Sequence, residues 1–322
     1  MKRQYVTDLA EGVRVDSEFV LSSKEFRLAR SGEGYLVVEL GDRSGSVPGV
    51  LFRPDRLACE IAAGTVATVR GVLTTYRGQP RVSIETLAPA GRYRREDMVP
   101  GGTRDRRELL AEFKRLVAAI EAPAPAALAR AVFSDKAFLA AFLASPSSAA
   151  EDHPYVGGLL EHTVGVGRAC AALGRAHPEV DPDLLLAAAL LHDVGKVDAL
   201  ACDTAIRGTD EGRLLGHVAL GHARVAAASA ASAPSLPAAV LGRLTHAVLA
   251  HHDGAGGSGV EPVTLEALLL READRTDRAC SRFLLSTLPA ARAEEDWTPS
   301  RPGERRSLSV PGPPGPGAAS RA

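Results

Sequence analysis

The segment LLLAAALLHDVGK, from Leu184 to Lys196, decides the fold of the second half of the chain. Its run of apolar residues predicts a buried helix that ends near Gly195. His192 and Asp193 follow this run, and adjacent residues on a helix differ by about 100°, so both reach one metal ion only if the ion sits at the helix end. Lys196 adds a cation just outside such an ion, where a phosphate would lie. The segment therefore predicts a metal site that acts on phosphate.

Three further predicted helices carry a polar residue on an otherwise apolar face. Helical spacing aligns these faces as Leu159, His162, Val166, Ala169 and Leu173; Val240, Leu244, Ala247 and His251; and Ala267, Leu270, Asp274 and Asp277. A lone inward His is more often an ordinary core residue than a ligand. Several inward His and Asp residues on separate helices predict a shared metal, because an unpaired buried polar group costs about 1–3 kcal/mol.

The distribution of charge supports this interpretation. All nine His residues lie between His153 and His252. Residues 151–280 contain 10 basic and 17 acidic residues, a net charge of −7, whereas residues 1–95 contain 15 and 11, a net charge of +4. The two halves of the chain therefore differ in function, with metal expected in the acidic half.

Residues 1–95 predict a small β-barrel. Five runs have strand length and are separated by turn residues: Val13–Leu21, Tyr35–Leu40, Ser46–Phe52, Thr65–Leu73 and Arg81–Leu87. A short helix in PDRLACEIAAG, closed by Gly64, lies between the third and fourth runs. This order is typical of an OB-fold, which often binds single strands through one face and the loops between strands 1 and 2 and strands 4 and 5.

The two loops of this predicted barrel interleave cations with aromatic rings. Cations follow phosphates while flat rings stack on bases, so the pattern favours a nucleic-acid strand. An alternative remains open, in which Phe26 belongs to the core and the arginines are simply solvated. The candidate binding residues are Lys24, Phe26, Arg27, Arg30, Tyr76 and Arg77 in the loops, with Tyr35 and Arg81 on the adjoining strands.

The whole chain is thus predicted as an α+β multidomain protein. An OB-fold at residues 1–95 is followed by a helical connector at 96–150, an all-α domain at 151–290 and a disordered tail at 299–322. In the connector, RRELLAEFKRLVAAIEA predicts one helix, and a second follows Pro123 and Pro125 through Phe142. The longest apolar run has eight residues, too short for a membrane span. Scattered cysteines and the lack of a signal-like amino terminus predict a cytoplasmic protein.

The set His162, His192–Asp193 and Asp274 resembles the HD superfamily of metal-dependent phosphohydrolases. Over about residues 5–285, the order OB-fold, connector and HD domain resembles the YhaM family of 3′-to-5′ exoribonucleases. The matching segments are GGLLEHTVGV (157–166), LLLAAALLHDVGK (184–196), LLGHVAL (214–220) and LAHHDG (249–254). The resemblance implies metal-dependent hydrolysis of single-stranded RNA, or of DNA, from the 3′ end to nucleoside monophosphates, with manganese as the usual metal.

The resemblance also implies the roles of individual residues. His162, His192, Asp193 and Asp274 match the core ligands, and His217 and His251 match the extra ligands of two-metal enzymes, with Asp193 as the bridging carboxylate. Lys196 is expected to stabilise a phosphate oxygen, so Asp193 and Lys196 are the predicted catalytic residues. His252 and His153 are candidates for a ligand or a supporting role. Two positions depart from the family pattern: Asp152 where the family often has the first His of a pair, and Asp253 where it often has Gly.

The donor types bear on the metal. A His-rich site favours manganese, iron, cobalt, nickel or zinc over magnesium, which prefers oxygen ligands. Two other functions stay open: an HD nucleotidase or cyclic-dinucleotide phosphodiesterase with the OB-fold as a docking module, and a non-enzymatic nucleic-acid-binding protein. A six-ligand set argues against the second. The choice between RNA and DNA and the formation of a homo-oligomer also stay open.

Overall fold

The computed structural model describes residues 2–29, 31–76, 78–99, 101–102, 104–232, 234–252, 259–292, 295–298 and 307–312. Its first part is a closed five-stranded barrel in the order β1-β2-β3-β5-β4. Neighbouring strands are antiparallel except for β3 and β5, which are parallel. This OB-like barrel confirms the predicted fold. The strands are β1 (Arg14–Leu28), β2 (Gly34–Asp42), β3 (Gly45–Phe52), β4 (Val66–Tyr76) and β5 (Gln79–Pro89).

The barrel interior is built by alternation. Leu36, Val38 and Leu40 of β2 point inward and are at most 1% exposed, as the period of two in a strand requires. Helix α1 (Arg56–Glu60) lies between β3 and β4 as predicted. It begins after Asp55, whose side chain accepts a hydrogen bond from the Ala58 backbone, and it ends at Glu60, before the predicted Gly64.

Both predicted binding loops are wrong in their extent. Strand β1 continues to Leu28, pairing Lys24 with Val38 and Arg27 with Tyr35, so only a short turn separates β1 from β2. Strands β4 and β5 likewise pair up to Tyr76 and Gln79. The polar residues after Leu21 conceal this extension, because their strand is fixed by backbone pairing to β2 rather than by apolar alternation.

The predicted connector is part of the helical core. It contains three helices, α2 (Arg106–Ala118), α3 (Pro123–Val132) and α4 (Lys136–Ala144). The predicted second helix is therefore two, because the Asp135 side chain accepts from the backbone of Ala137 and Phe138 and begins a new helix. The Phe113 and Phe142 ring centroids lie 5.6 Å apart, and both residues belong to one apolar core with the helices that follow the connector.

Helix α6 is the centre of the helical domain. All eight residues of its predicted apolar run are buried, and the helix packs against α3, α5, α9 and α10. The helices of this domain are α5 (Gly158–Ala176), α6 (Pro182–Leu191), α7 (Lys196–Ala199), α8 (Asp210–Ala231), α9 (Ala238–Ala250) and α10 (Leu265–Arg292).

One short hairpin departs from the predicted all-helical domain. Strands β6 (Leu200–Cys202) and β7 (Ile206–Gly208) pair antiparallel directly after α7. The Thr204 hydroxyl at the hairpin tip donates to the carbonyl oxygen of Gly64 in the barrel. Cys202 also joins a small apolar cluster with Val20 and Val66 of the barrel. The hairpin is stabilised by this contact between domains, which a three-residue strand pattern does not reveal.

The remaining predictions concern the whole chain. Within the described ranges, no helix is long and apolar enough to cross a membrane. The four cysteines are free, with Cys170 and Cys202 buried. Of the predicted disordered tail, residues 299–306 and 313–322 lie outside the described residues, and Ser309 forms an isolated β-bridge with Trp297.

Candidate metal centre

Four buried side chains meet at the end of α6 and form the first cluster. His162 comes from α5, His192 and Asp193 follow α6, and Asp274 comes from α10. Their potential ligand atoms lie within 4.8 Å of one another. His162 Nε2 is 3.1 Å from His192 Nε2, 3.2 Å from Asp193 Oδ2 and 3.1 Å from Asp274 Oδ1. The structure therefore brings together the four residues predicted as core ligands.

A second cluster shares Asp193 with the first. It contains Asp193, His217, His251 and His252, again with ligand atoms within 4.8 Å. Asp193 Oδ1 lies 3.4 Å from His217 Nε2 and 3.5 Å from His251 Nε2, while its Oδ2 faces the first cluster. One carboxylate thus reaches both clusters, one oxygen to each. All six predicted ligands, and His252, lie in this double cluster.

Local backbone structure explains how His192, Asp193 and His217 come together in the two clusters. Helix α6 ends at Leu191, and His192 takes the C-cap position. A side chain at Gly195 would place its Cβ 2.1 Å from the His217 carbonyl oxygen, so only glycine lets α8 pass this close. Helix α8 is interrupted at Gly216, immediately before His217. The predicted helix end near Gly195 is therefore also the contact that brings His217 to Asp193.

The centre is lined by acceptors. His192 Nδ1 donates to the Ala189 carbonyl oxygen over 2.7 Å, and His251 Nδ1 donates to the Val248 carbonyl oxygen over 2.5 Å. Each ring consequently turns the lone pair of Nε2 toward the carboxylates. Asp193 Oδ1, Asp274 Oδ1 and His251 Nε2 are buried without a hydrogen-bond partner. Buried converging acceptors need a cation, so these residues are compatible with a divalent metal.

The pKa shifts follow from the same arrangement. Burial would lower the pKa of His162, but the adjoining carboxylates of Asp193, Asp274 and Asp277 raise it well above the usual value. Burial lowers the pKa of His217 to about 3 and that of His252 to about 2. Burial would raise the pKa of Asp193, yet the Lys196 ammonium and the neighbouring His rings hold it well below its usual range. The carboxylates are thus ionised and most of the rings neutral, as ligands require.

A cavity of about 600 Å³ opens beside the second cluster, and three basic residues line it: Lys196, Arg213 and Arg278. Lys196 Nζ lies 2.6 Å from Asp193 Oδ2 and donates to Ser147 Oγ over 3.1 Å. Arg278 Nη1 lies 2.9 Å from His252 Nδ1, and its Nε lies 3.4 Å from Asp152 Oδ1. Cations at the mouth of an ionised site suit a phosphate group.

Sequence reasoning missed several residues of this centre. Arg278 lies one turn after Asp274 on α10, and this helical spacing could have placed it beside the site from the sequence. Asp277 appeared on the Asp274 stripe but received no role, although it lies 2.7 Å from His162 Nδ1. Asp152 was noted in sequence only as a departure from the family pattern, and no local pattern shows that Asp152 or Ser147 lines the cavity.

The barrel displays aromatic side chains on its outer surface. Tyr35 of β2 pairs with Phe52 of β3, with ring centroids 5.7 Å apart, and Arg27 of β1 pairs with Tyr35 on the other side. Phe52 was not predicted. The guanidinium of Arg81 lies over the Tyr76 ring at 4.1 Å. These residues combine rings and cations on neighbouring strands.

The other residues predicted to bind nucleic acid are Phe26, Lys24, Arg30 and Arg77, and the structure describes the first two. Phe26 is 56% exposed, so the alternative that placed it in the core is wrong. Lys24 donates to the carbonyl oxygens of Cys59 (2.6 Å) and Ile61, at the end of α1, so its ammonium serves the barrel itself. Arg30 and Arg77 lie outside the described residues.

Comparison with known proteins identifies the class. The HD domain family model matches residues 159–279, which contain every residue of both clusters. The chain thus contains an HD domain, preceded by an OB-like barrel. It is 29% identical to the 3′-5′ exoribonuclease YhaM of Bacillus velezensis over 272 residues, which cover 83% of this chain and 85% of the relative. Identity to YhaM of Bacillus subtilis is 27% over 273 residues, with the same coverage.

These matches confirm the predicted resemblance and the predicted class, a hydrolytic enzyme built on an HD domain. Among solved structures, the second OB-fold domain of replication protein A from Methanococcus maripaludis aligns with 29% of this chain and 99% of its own. The TM-score is 0.24 and the identity 18%, which are too low to support an argument.

Proposed function

We propose that this chain is a metal-dependent exonuclease that hydrolyses single-stranded RNA from its 3′ end to nucleoside monophosphates. The observation that carries the proposal is the double cluster, in which Asp193 reaches two sets of His and Asp ligands. The relatives named 3′-5′ exoribonuclease align over 83% of the chain, so the comparison spans barrel and HD domain alike. Direction and substrate come from these relatives.

Two divalent ions fit the donor set. The first cluster would hold one ion and the second cluster the other, and Asp193 belongs to both sets of donors. Mixed imidazole and carboxylate donors favour manganese, iron, cobalt, nickel or zinc, and among these we propose manganese. Bound ions would supply a nucleophile from water at neutral pH and neutralise charge on the phosphodiester.

The residues of the chain bind and orient the strand. The Lys196 ammonium would hold a non-bridging oxygen of the scissile phosphate, and Arg278, which lines the same cavity, would hold the same group. On the barrel, Tyr35, Phe52 and Tyr76 would stack on bases while Arg27 and Arg81 follow phosphates. The barrel thus captures the strand whose 3′ end enters the cavity.

The test uses metal-stripped full-length protein with manganese restored and a 5′-labelled single-stranded RNA, with its DNA counterpart in parallel. A ladder that shortens from the 3′ end supports the proposal and ranks the two substrates. His192→Ala should abolish the ladder, whereas His177→Ala, an exposed His at the end of α5, should retain it. Intact strands together with turnover of a small phosphodiester would overturn the exonuclease and favour the nucleotidase.

A further inference from the structure

A third polar cluster lies behind His162, away from the carboxylates of the metal centre. It contains His153, His162 and Asp277. Asp277 Oδ2 lies 2.7 Å from His162 Nδ1 and 2.9 Å from His153 Nε2. A carboxylate can only accept, so both rings donate to the same oxygen. His162 is left with Nε2 facing Asp193 and Asp274.

The backbone of His153 is held in an unusual conformation. Its φ is 43°, in the left-handed region that residues other than glycine rarely adopt. Three hydrogen bonds fix it there: its N–H donates to Ser281 Oγ, and its carbonyl oxygen accepts from the backbone of Ser147 and Tyr155. The other ring nitrogen, Nδ1, lies 2.8 Å from Tyr155 Oη. A strained backbone that several hydrogen bonds hold in place is common at functional sites, where a side chain has to keep one orientation.

Both nitrogens of the His153 ring are therefore engaged, one by Asp277 and one by Tyr155. The hydrogen bonds of the His153 ring reach the metal centre through Asp277, and the ring also lies beside that of His162, with centroids 5.6 Å apart. This geometry separates it from His252, which lies within the second cluster itself.

The Asp277 carboxylate packs against α5 at Gly165, which has no side chain. A Cβ at Gly165 would lie 2.0 Å from Asp277 Oδ1 and 2.9 Å from its carboxyl carbon. Any side chain at position 165 would therefore displace the carboxylate from His162. Gly165 contributes no chemistry of its own, so its substitution probes the placement of Asp277 alone.

We propose that Asp277 and His153 are positioning residues, which hold the His162 ring in the orientation and tautomer that direct Nε2 into the first cluster. The inference rests on the metal centre of the proposed function, but not on its substrate. A carboxylate that accepts from the far nitrogen of a ligating His fixes the ring and increases its basicity, and loss of such a partner typically weakens metal binding 10- to 100-fold.

The test measures manganese binding directly, by the electron paramagnetic resonance of free Mn²⁺ in the full-length metal-free protein. Asp277→Asn and Gly165→Ala should each weaken one class of site about 10- to 100-fold. The other class, formed with His217, His251 and His252, should change far less. Gly242→Ala is the matched control, because it lies in α9 with nothing within 4 Å of its Cβ.

Two further variants distinguish positioning from folding. His153→Asn keeps a residue that tolerates positive φ while removing the ring, and should weaken the same class of site by less than Asp277→Asn does. The absorption spectrum of Co²⁺ in the first cluster should change in Asp277→Asn, while Asp277→Glu, which restores an acceptor, should partly recover both spectrum and affinity. A merely structural role would lower thermal stability and leave the Co²⁺ spectrum unchanged.

Wild-type affinity in Asp277→Asn would overturn the inference, whether or not Gly165→Ala folds. Failure of the proposed function looks different: the wild-type protein would bind manganese, the variants would bind it more weakly, and RNA would stay intact.

Discussion

The Lys196 ammonium lies 2.6 Å from Asp193 Oδ2, the oxygen that also faces His162 and His192 at 3.2 Å each. The side chains of Lys196 and Asp193 are 7% and 1% exposed. A buried cation beside a carboxylate of the metal centre opposes the binding of another cation there, because like charges repel strongly where water is excluded. Its placement at the cavity instead suits an anion, such as the phosphate of the proposed substrate.

Replacing Lys196 should therefore separate metal binding from catalysis. We expect Lys196→Met to bind manganese at least as tightly as the wild-type protein, since a repulsive charge is removed. Its kcat on single-stranded RNA should fall about 100- to 1000-fold, the usual effect of losing one donor to the transition state. Calorimetry and single-turnover cleavage measure the two quantities. Weaker metal binding with unchanged kcat would assign Lys196 a structural role.

Metal uptake should release a proton. Burial would lower the pKa of His162, but the adjoining carboxylates of Asp193, Asp274 and Asp277 raise it, so this ring carries a second proton in the metal-free protein at neutral pH. His217 and His252, with pKa values lowered by burial to about 3 and about 2, are already neutral. Affinity should thus rise about tenfold per pH unit from pH 6 until the raised pKa of His162 is passed.

Calorimetry of manganese binding in two buffers with different ionisation enthalpies counts the released protons. Release of about one proton at pH 7 is expected for the first cluster. A pH-independent affinity between pH 6 and 8 would contradict the assignment of His162 as a ligand.

The aromatic rings of the barrel should affect strand capture and leave the chemical step unchanged. Tyr35→Ala and Tyr76→Ala each remove one stacking ring, which is worth about 1–3 kcal/mol per base, or about 5- to 150-fold in affinity. KM for a long RNA should rise by this factor, while kcat on a dinucleotide should not change. Trp297→Ala, an exposed ring outside the barrel, provides the control. An equal loss of activity on the long RNA and on the dinucleotide would place the defect in the HD domain.

The connector should unfold with the HD domain. Phe142 is fully buried in the shared core and contacts Phe113 and Phe133. Phe142→Ala should lower the free energy of unfolding of the helical domain by about 3–5 kcal/mol. Phe26→Ala, in which the lost ring is 56% exposed, should cost far less. Denaturant unfolding followed by circular dichroism compares the two. A separate early transition for the connector would show that it folds independently.

Much of the architecture could be predicted because it follows from local patterns. The alternation of Leu36, Val38 and Leu40 identifies β2, and the apolar run before His192 identifies the central helix. Part of the His and Asp cluster was also predictable, because a polar residue on an apolar stripe is conspicuous in sequence. His162 and Asp274 each stand on such a stripe, and the structure places them 3.1 Å apart.

The features that escaped prediction depend on contacts distant in sequence. Strand β1 extends to Leu28 because β2 pairs with it, not because its own residues alternate. Nothing in the sequence around Lys24 predicts that its ammonium donates hydrogen bonds to carbonyl oxygens at the end of α1. The role of Asp277 depends on Gly165 leaving space on a different helix. Pairing, capping and steric fit between elements are set by the assembled fold.

The hairpin of β6 and β7 limits how far the domains can be treated separately. Helix α7, which carries Lys196, continues into β6 at the next residue, and the tip of the hairpin is bonded to the barrel through Thr204 and Gly64. Excising the helical domain would remove Val20 and Val66 from their contact with Cys202 and expose that apolar surface to water. In such a fragment, Lys196 would lie on a helix whose following hairpin no longer contacts the barrel. Truncation at the domain boundary is therefore expected to perturb the helix that carries Lys196, in addition to removing the proposed strand-binding surface, so the proposed activity should be measured on the intact chain.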